Sequence, residues 1–293
     1  MNTPSDLHYL EMHELSLLIR TRQLSPVEVT EAQLARIERL DGVLHSYAYV
    51  TPELALAQAR QAEQELARGQ CRSPLHGIPL AVKDLFHTAG IPTAAGMAIH
   101  RDFIPQHDAT VVARLREAGS VLLGKLQMTE GAFATHHPAF AAPVNPWGAG
   151  HWTGASSSGC GVATAAGLCY AALGTDSGGS IRFPCAANGL TGLKPTWGRV
   201  SRHGAFELAA SLDHVGPITR SARDALFLLS TIAGHDPLDP TSLPSVCLEI
   251  PGIEESFRGL RIGVDEAWLS DGVDEEIVEA LDEVLTMIRA GGG

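Results

Sequence analysis

Residues 174–184, GTDSGGSIRFP, place Ser177, Gly178, Gly179 and Ser180 in an unbroken row of small residues. Such a row leaves backbone N–H groups unshielded, and glycine adopts the positive φ values that let those groups converge. A ring of N–H donors suits either a bound phosphate or the developing oxyanion of an acyl transfer. The phosphate reading wants GxxxxGK[ST] or GxGxxG; neither is present, and GLKPT at 192–196 lacks the loop. Ser180 closes the row, where a nucleophile would stand beside its own oxyanion donors.

A serine nucleophile needs a base. The pattern GxSxG is missing around Ser180 and none of the thirteen histidines stands in a recognisable frame, which disfavours a Ser-His-acid hydrolase. Two other polar elements remain: Ser156, Ser157 and Ser158 within TGASSSGCG at 153–161, and Lys83 within PLAVKDLF. Lysine acts as a base only when neutral, and burial among Val82, Leu85 and Phe86 is the kind of desolvation that lowers its pKa. Taken singly, each has a plainer role. A serine after two glycines is commonly a turn residue, each of Ser156–Ser158 is a candidate helix N-cap, and Lys83 alone reads as a surface lysine at a strand end. Asp176 and Arg182 read as a buried pair or loop brace rather than reacting groups. Cys160 and Cys185 read as small core residues, and His136 with His137 as a partly exposed pair beside TEGAF.

The elements that must position these groups alternate. Residues 25–42 form a predicted helix with Ser25 as N-cap, Pro26 at the first helical position, Glu28 completing a capping box and Gly42 at the end. Residues 51–69 repeat the plan from Thr51 and Pro52 to Gly69, so the first seventy residues read as helical. Strands are expected at 78–84, at 120–125, within 170–176 and at 260–266. Helices are expected from Asp108 to Gly119, from Ser157 toward Leu168, over 220–234, and over 273–291 with Ile277, Leu281, Val284, Leu285 and Ile288 on one face. Strands alternating with capped helices indicate an α/β layered fold, and with no repeat or linker the reading is one domain over 1–293. Its parts are N-terminal helices to residue 70, a core at 71–235 and a further portion from 236.

With 45% hydrophobic residues and a net charge of −12, the chain suits a globular protein without an overall field for nucleic acid or anionic membranes. Five cysteines, odd in number and never spaced CxxC, fit a reducing compartment better than a disulfide scaffold or a zinc site. An acidic start and the lack of an apolar run near the roughly 20 residues that span a bilayer lead to the expectation of a soluble, cytoplasmic protein.

PLAVKD, GASSSG, the block from Ala172 to Gly204 and SLDHVGPITRS resemble, in order and spacing, the core motifs of the amidase signature family, from about Lys83 to Arg223. The resemblance implies an α/β fold with a mixed central sheet covered by helices on both faces, and a Ser–cis-Ser–Lys triad. Carried over, Ser180 is the nucleophile, Ser156 the bridging serine preceded by a cis peptide bond, with Ser157 its rival, and Lys83 the base. The N–H groups of Ser177, Gly178, Gly179 and Ser180 form the oxyanion hole, and Ser157, Asp176 and Arg182 support it. The implied chemistry is hydrolysis of a small or medium carboxamide through an acyl-enzyme, with no metal or cofactor. The family also includes the amidating component of aminoacyl-tRNA amidotransferases, which implies partner subunits as the alternative; a homo-oligomer is a further expectation. Ala155 stands where many relatives have glycine, and Gln127 where asparagine is usual. Relatives continue beyond the closing AGGG, so the expectation is a C-terminally truncated fold, with a non-catalytic fragment as the third reading.

Overall fold

The computed structural model describes residues 7–244 and 257–292. Contacts divide the chain into two compact units, residues 1–249 and 250–293. In the first unit, helix α1 (Met12–Arg20) is followed by α2 (Pro26–Leu44), strand β1 (Tyr47–Val50) and α3 (Pro52–Ala67). Strand β2 (Pro79–Lys83), helix α4 (Thr110–Glu117) and strand β3 (Val121–Leu126) come next. Then follow α5 (Ser158–Ala165), β4 (Ala172–Asp176), α6 (Arg182–Asn188), β5 (Thr191–Gly192), β6 (His214–Thr219) and α7 (Ala222–Ile232).

The six strands form one mixed sheet in the order β1-β3-β2-β4-β6-β5. The central trio β3, β2 and β4 is parallel, while β1 and β6 pair antiparallel to their neighbours. Side chains alternate across it with period 2. Leu80 and Val82 of β2 join one apolar cluster with Met12, Leu15, Val112, Leu115 and Leu228, while Ala81 joins a second with Ile37, Ala55, Ala59 and Ala163. Helices therefore cover both faces, and Lys83 shares the face of Ala81. Each large apolar side chain buried this way contributes about 1.5–3 kcal/mol.

Local chemistry explains the helix starts. Ser25 Oγ accepts from Val27 N–H at 2.9 Å while Glu28 Oε2 accepts from Ser25 N–H at 3.2 Å, the expected capping box. That helix runs two residues beyond Gly42 and ends at His45, which takes the left-handed turn at φ 51°. Thr51 does not cap α3 with its side chain; its hydroxyl donates to Leu122 O at 2.9 Å. Asp108 likewise leaves the capping position to Ala109, because its carboxylate accepts from Ala89 N–H and pairs with Arg116.

Two expectations about strands need correction. The first seventy residues are not all helical, since Tyr47–Val50 is an edge strand on β3. Residues 260–266, expected to be strand, are irregular and exposed up to Asp265 and helical from Glu266; among the described residues of the second unit no strand is present to pair with them. That unit holds α8 (Glu266–Ser270) and α9 (Glu275–Ala290). On α9, Leu281, Leu285 and Ile288 are half-buried and Ile277 and Val284 exposed. Among the described residues, no helix is long and apolar enough to cross a membrane.

Candidate active site

Helix α5 is made of small residues because it presses on the sheet. A Cβ at Gly159 would lie 2.4 Å from Ser46 O and 2.6 Å from Gln127 O, so only glycine permits this approach. Gly159 N–H then donates to Gln127 O at 2.9 Å, and Ser156 O accepts from Thr129 N–H at 3.2 Å. The turn before α5 is thereby held just beyond the end of β3. Within it, the Ala155–Ser156 peptide bond is cis.

Lys83, at the end of β2, is fully buried. Its Nζ donates to Ser156 Oγ at 2.8 Å and to Thr175 Oγ1 of β4, also at 2.8 Å. Burial pushes the ammonium down to about 7, against partial compensation from Cys160, Asp176 and Asp213. Near neutral pH this amine therefore divides between its charged and neutral forms, which an ordinary lysine does not. Ser157 and Ser158 lie in the same turn but point elsewhere: Ser157 Oγ donates to Thr175 O at 3.2 Å, and Ser158 Oγ contacts His136 Nε2 at 2.9 Å. Ser157 occupies the N-cap position of α5, yet its hydroxyl caps nothing.

The loop between β4 and α6 is organised by one carboxylate. Asp176 is fully buried and accepts from Gly179 N–H at 2.8 Å, Ile181 N–H at 3.2 Å and Arg182 N–H at 3.3 Å. Arg182 also grips it with two side-chain nitrogens, Nε at 3.0 Å and Nη2 at 2.9 Å. Burial alone would raise the Asp176 pKa, but the Arg182 and backbone hydrogen bonds outweigh it and hold the carboxylate below its usual value. Gly179 sits at φ 136°, and a Cβ there would lie 2.3 Å from the Phe183 ring.

The Gly179 N–H, expected among the oxyanion donors, is thus already donated to Asp176. Among the described residues, the N–H groups of Ser177, Gly178 and Ser180 are donated to none, so three donors remain open. Ser180 is partly exposed, and its hydroxyl forms no hydrogen bond with any described residue, Ser156 included. Ser177 bonds through its hydroxyl to Asp213, which also accepts from Leu208 and Ala209 N–H groups. A cavity of about 340 Å³ opens beside this loop, lined by Thr175, Ser177, Asp213, Phe206 and Leu208 among others.

Three features escaped sequence reasoning. Thr175 lies inside the stretch GTDSGGSIRFP, and only the parallel pairing of β2 with β4 brings it to Lys83. Lys125 is a second buried lysine, donating to Phe86 O at 2.8 Å and Thr93 Oγ1 at 2.7 Å and pairing with Asp84 at 3.3 Å. Burial takes its ammonium down to about 8. The third is Asp213, anchoring Ser177. Cys160 and Cys185 are buried, and burial pushes both thiols up, Cys185 to about 12, so neither is an activated nucleophile. Glu11, His13 and Asp224 come close enough to share an ion, but Asp224 accepts from Met12 and His13 N–H groups and serves the start of α1.

Comparison with known proteins identifies the family. The chain is 57% identical over 276 residues to "Putative amidase AmiD" of Mycobacterium bovis, covering 94% of this chain and 58% of that protein. It is 45% identical to a glutamyl-tRNA(Gln) amidotransferase component, the one designated A, of Anaeromyxobacter dehalogenans, covering all of this chain and 60% of that one. The native peptide amidase of Stenotrophomonas maltophilia superposes with a TM-score of 0.86 at 34% identity, over 99% of this chain and 62% of that one. The chain thus spans about three-fifths of the length of the relatives it matches. With the mixed sheet shared and the amidase profile matching residues 28–292, this chain belongs to the amidase family.

Proposed function

We propose that this chain performs acyl transfer from carboxamides, with Ser180 as nucleophile, Ser156 as proton relay and Lys83 as base. The observation that carries the reading is a fully buried lysine amine 2.8 Å from Ser156 Oγ, in a site where burial lets it be neutral near pH 7. Ser180 Oγ attacks the amide carbon while its proton passes to Ser156 and the Ser156 proton to Lys83 Nζ. The carbonyl oxygen becomes an oxyanion facing the open N–H groups of Ser177, Gly178 and Ser180. As the C–N bond breaks, the proton returns through Ser156 to the leaving amine, leaving an acyl ester on Ser180. Water then adds to the ester, giving its proton to the same relay; the acyl C–Oγ bond breaks, Ser180 takes that proton back through Ser156, and the acid departs. Asp176 and Arg182 hold the loop, and Ser157 holds Thr175. The cavity of about 340 Å³ touches the site at Thr175 and Ser177 rather than at Ser180 itself, and supports a small or medium carboxamide whose acyl portion extends past Ser177.

The test is intact-protein mass spectrometry after exposure to a fluorophosphonate, with Ser180→Ala alongside. One adduct on the parent, absent from the variant, is expected. No adduct on folded parent would overturn the reading and favour a non-catalytic chain. The likeness to a glutamyl-tRNA(Gln) amidotransferase component supports a second reading, in which glutamine is the amide and the ammonia serves a partner. Glutaminase activity with co-purifying subunits would favour it; turnover of simple amides by the chain alone would count against it.

A further inference from the structure

We propose that Thr175 is a positioning residue for Lys83, holding one N–H of its amine so that the lone pair faces Ser156. The proposal rests on the reading of Lys83 as the base. A neutral lysine amine carries two N–H groups and one lone pair, and rotation about the Cε–Nζ bond exchanges them. Only the lone pair can take the Ser156 proton; an N–H turned to the same oxygen blocks the transfer. An acceptor at a second position occupies one N–H and so removes the state in which the lone pair turns to that side.

Here a second partner exists. Among the described residues, Lys83 Nζ has two hydrogen-bond partners, Ser156 Oγ and Thr175 Oγ1, each at 2.8 Å. Thr175 is itself immobilised. It is the penultimate residue of β4, paired with Val215 of β6, and its carbonyl accepts from Ser157 Oγ at 3.2 Å. Its branched Cβ restricts χ1, so the hydroxyl cannot swing away freely. The contacts close a ring: Lys83 to Thr175, Thr175 to Ser157, along the chain to Ser156, and back to Lys83. The ring gives Ser157 a function that helix capping does not, and it explains a hydroxyl at position 175 where a buried strand otherwise favours an apolar residue.

The experiment compares Thr175→Val and Thr175→Ser with the parent. The rate of Ser180 acylation by a fluorophosphonate is followed against pH, and Lys83 is titrated independently by ¹⁵N NMR of lysine-labelled protein. The charged and titratable groups facing Lys83, which are Cys160 of α5, Asp176 of β4 and Asp213, are the same in every variant. Valine should lower the plateau rate roughly ten- to a hundredfold, the worth of one hydrogen bond to a charged group. It should also lower the Lys83 midpoint, since the ammonium loses an acceptor. Serine should restore both. A valine variant with the parental rate and midpoint overturns the proposal, as does a serine variant no better than valine. Thr175→Ala replaces valine if that variant does not fold. A parent that is not acylated refutes the acyl-transfer reading and with it the lone-pair role of Thr175, and a Lys83 midpoint that still falls in the valine variant then shows the hydrogen bond alone.

Discussion

The pH dependence of Ser180 acylation follows from how deeply Lys83 is buried. Its ammonium is pushed down to about 7 by desolvation, whereas a lysine in water titrates near 10.4. At pH 7 about half of Lys83 is then the free base, against roughly one part in 2,500 for an ordinary lysine. Burial therefore raises the available base roughly a thousandfold, about 4–5 kcal/mol of differential stabilisation between the two protonation states. The sign is fixed: acylation needs the neutral amine, so the rate rises with pH and levels above about 8. Below the midpoint it falls tenfold per unit, to about one-tenth at pH 6 and one-hundredth at pH 5. The assay is the second-order rate constant of fluorophosphonate labelling between pH 5 and 9.5, normalised to reagent hydrolysis. Lys83→Met should abolish the limb and leave only slow, pH-insensitive labelling. A rate still climbing at pH 9.5, or one flat from pH 5 to 8, would refute the reasoning. So would a methionine variant that keeps the parental profile.

Three further outcomes are expected. Because the folded Lys83 pKa lies below the unfolded one, the unfolded chain binds the extra proton between about 7 and roughly 10.4, so this residue's contribution to stability rises with pH across that window. Lys83→Met should accordingly raise the melting temperature more at pH 6 than at pH 10; an equal change at both would count against a buried, depressed amine. Lys125→Met strips the counter-charge from buried Asp84 and should cost about 3–5 kcal/mol in urea unfolding, partly recovered in the double variant with Asp84→Asn; additive losses would show that the two residues do not act as a pair. Gly179→Ala meets both a positive φ and the Phe183 ring, and should cost about 1–3 kcal/mol and slow Ser180 labelling. Adding Phe183→Ala should relieve the collision but not the backbone term, so full recovery of stability would argue against strain at Gly179.

Signals carried by neighbouring residues were legible in the chain. The capping box of Ser25 and Glu28 closes within one helical turn, so its residues suffice to announce it. The small residues of 157–168 and 177–180 likewise announce close backbone approach, whatever approaches. Legibility failed where the outcome depended on a partner far along the chain. Residues 47–50 are strand only because β3 lies beside them, and residues 260–265 have the composition of a strand without a described neighbour to pair with. The same limit separates Gly178 from Gly179: both read as oxyanion donors, but the Asp176 carboxylate folds back and takes the Gly179 N–H.

The sequence by itself determined most of the elements, the α/β alternation and, through ordered motifs, the candidate trio Lys83, Ser156 and Ser180, because these are properties of residue type and spacing. The tertiary structure alone decided which hydroxyls reach the lysine. Lys83 meets Ser156 and Thr175 because β2 lies parallel to β4 and α5 presses its glycines against the sheet, bringing residues 73 and 92 positions apart within 2.8 Å. The protonation of that lysine was decided there too. Spacing names a lysine, but only the packing around it removes the water that would keep it charged.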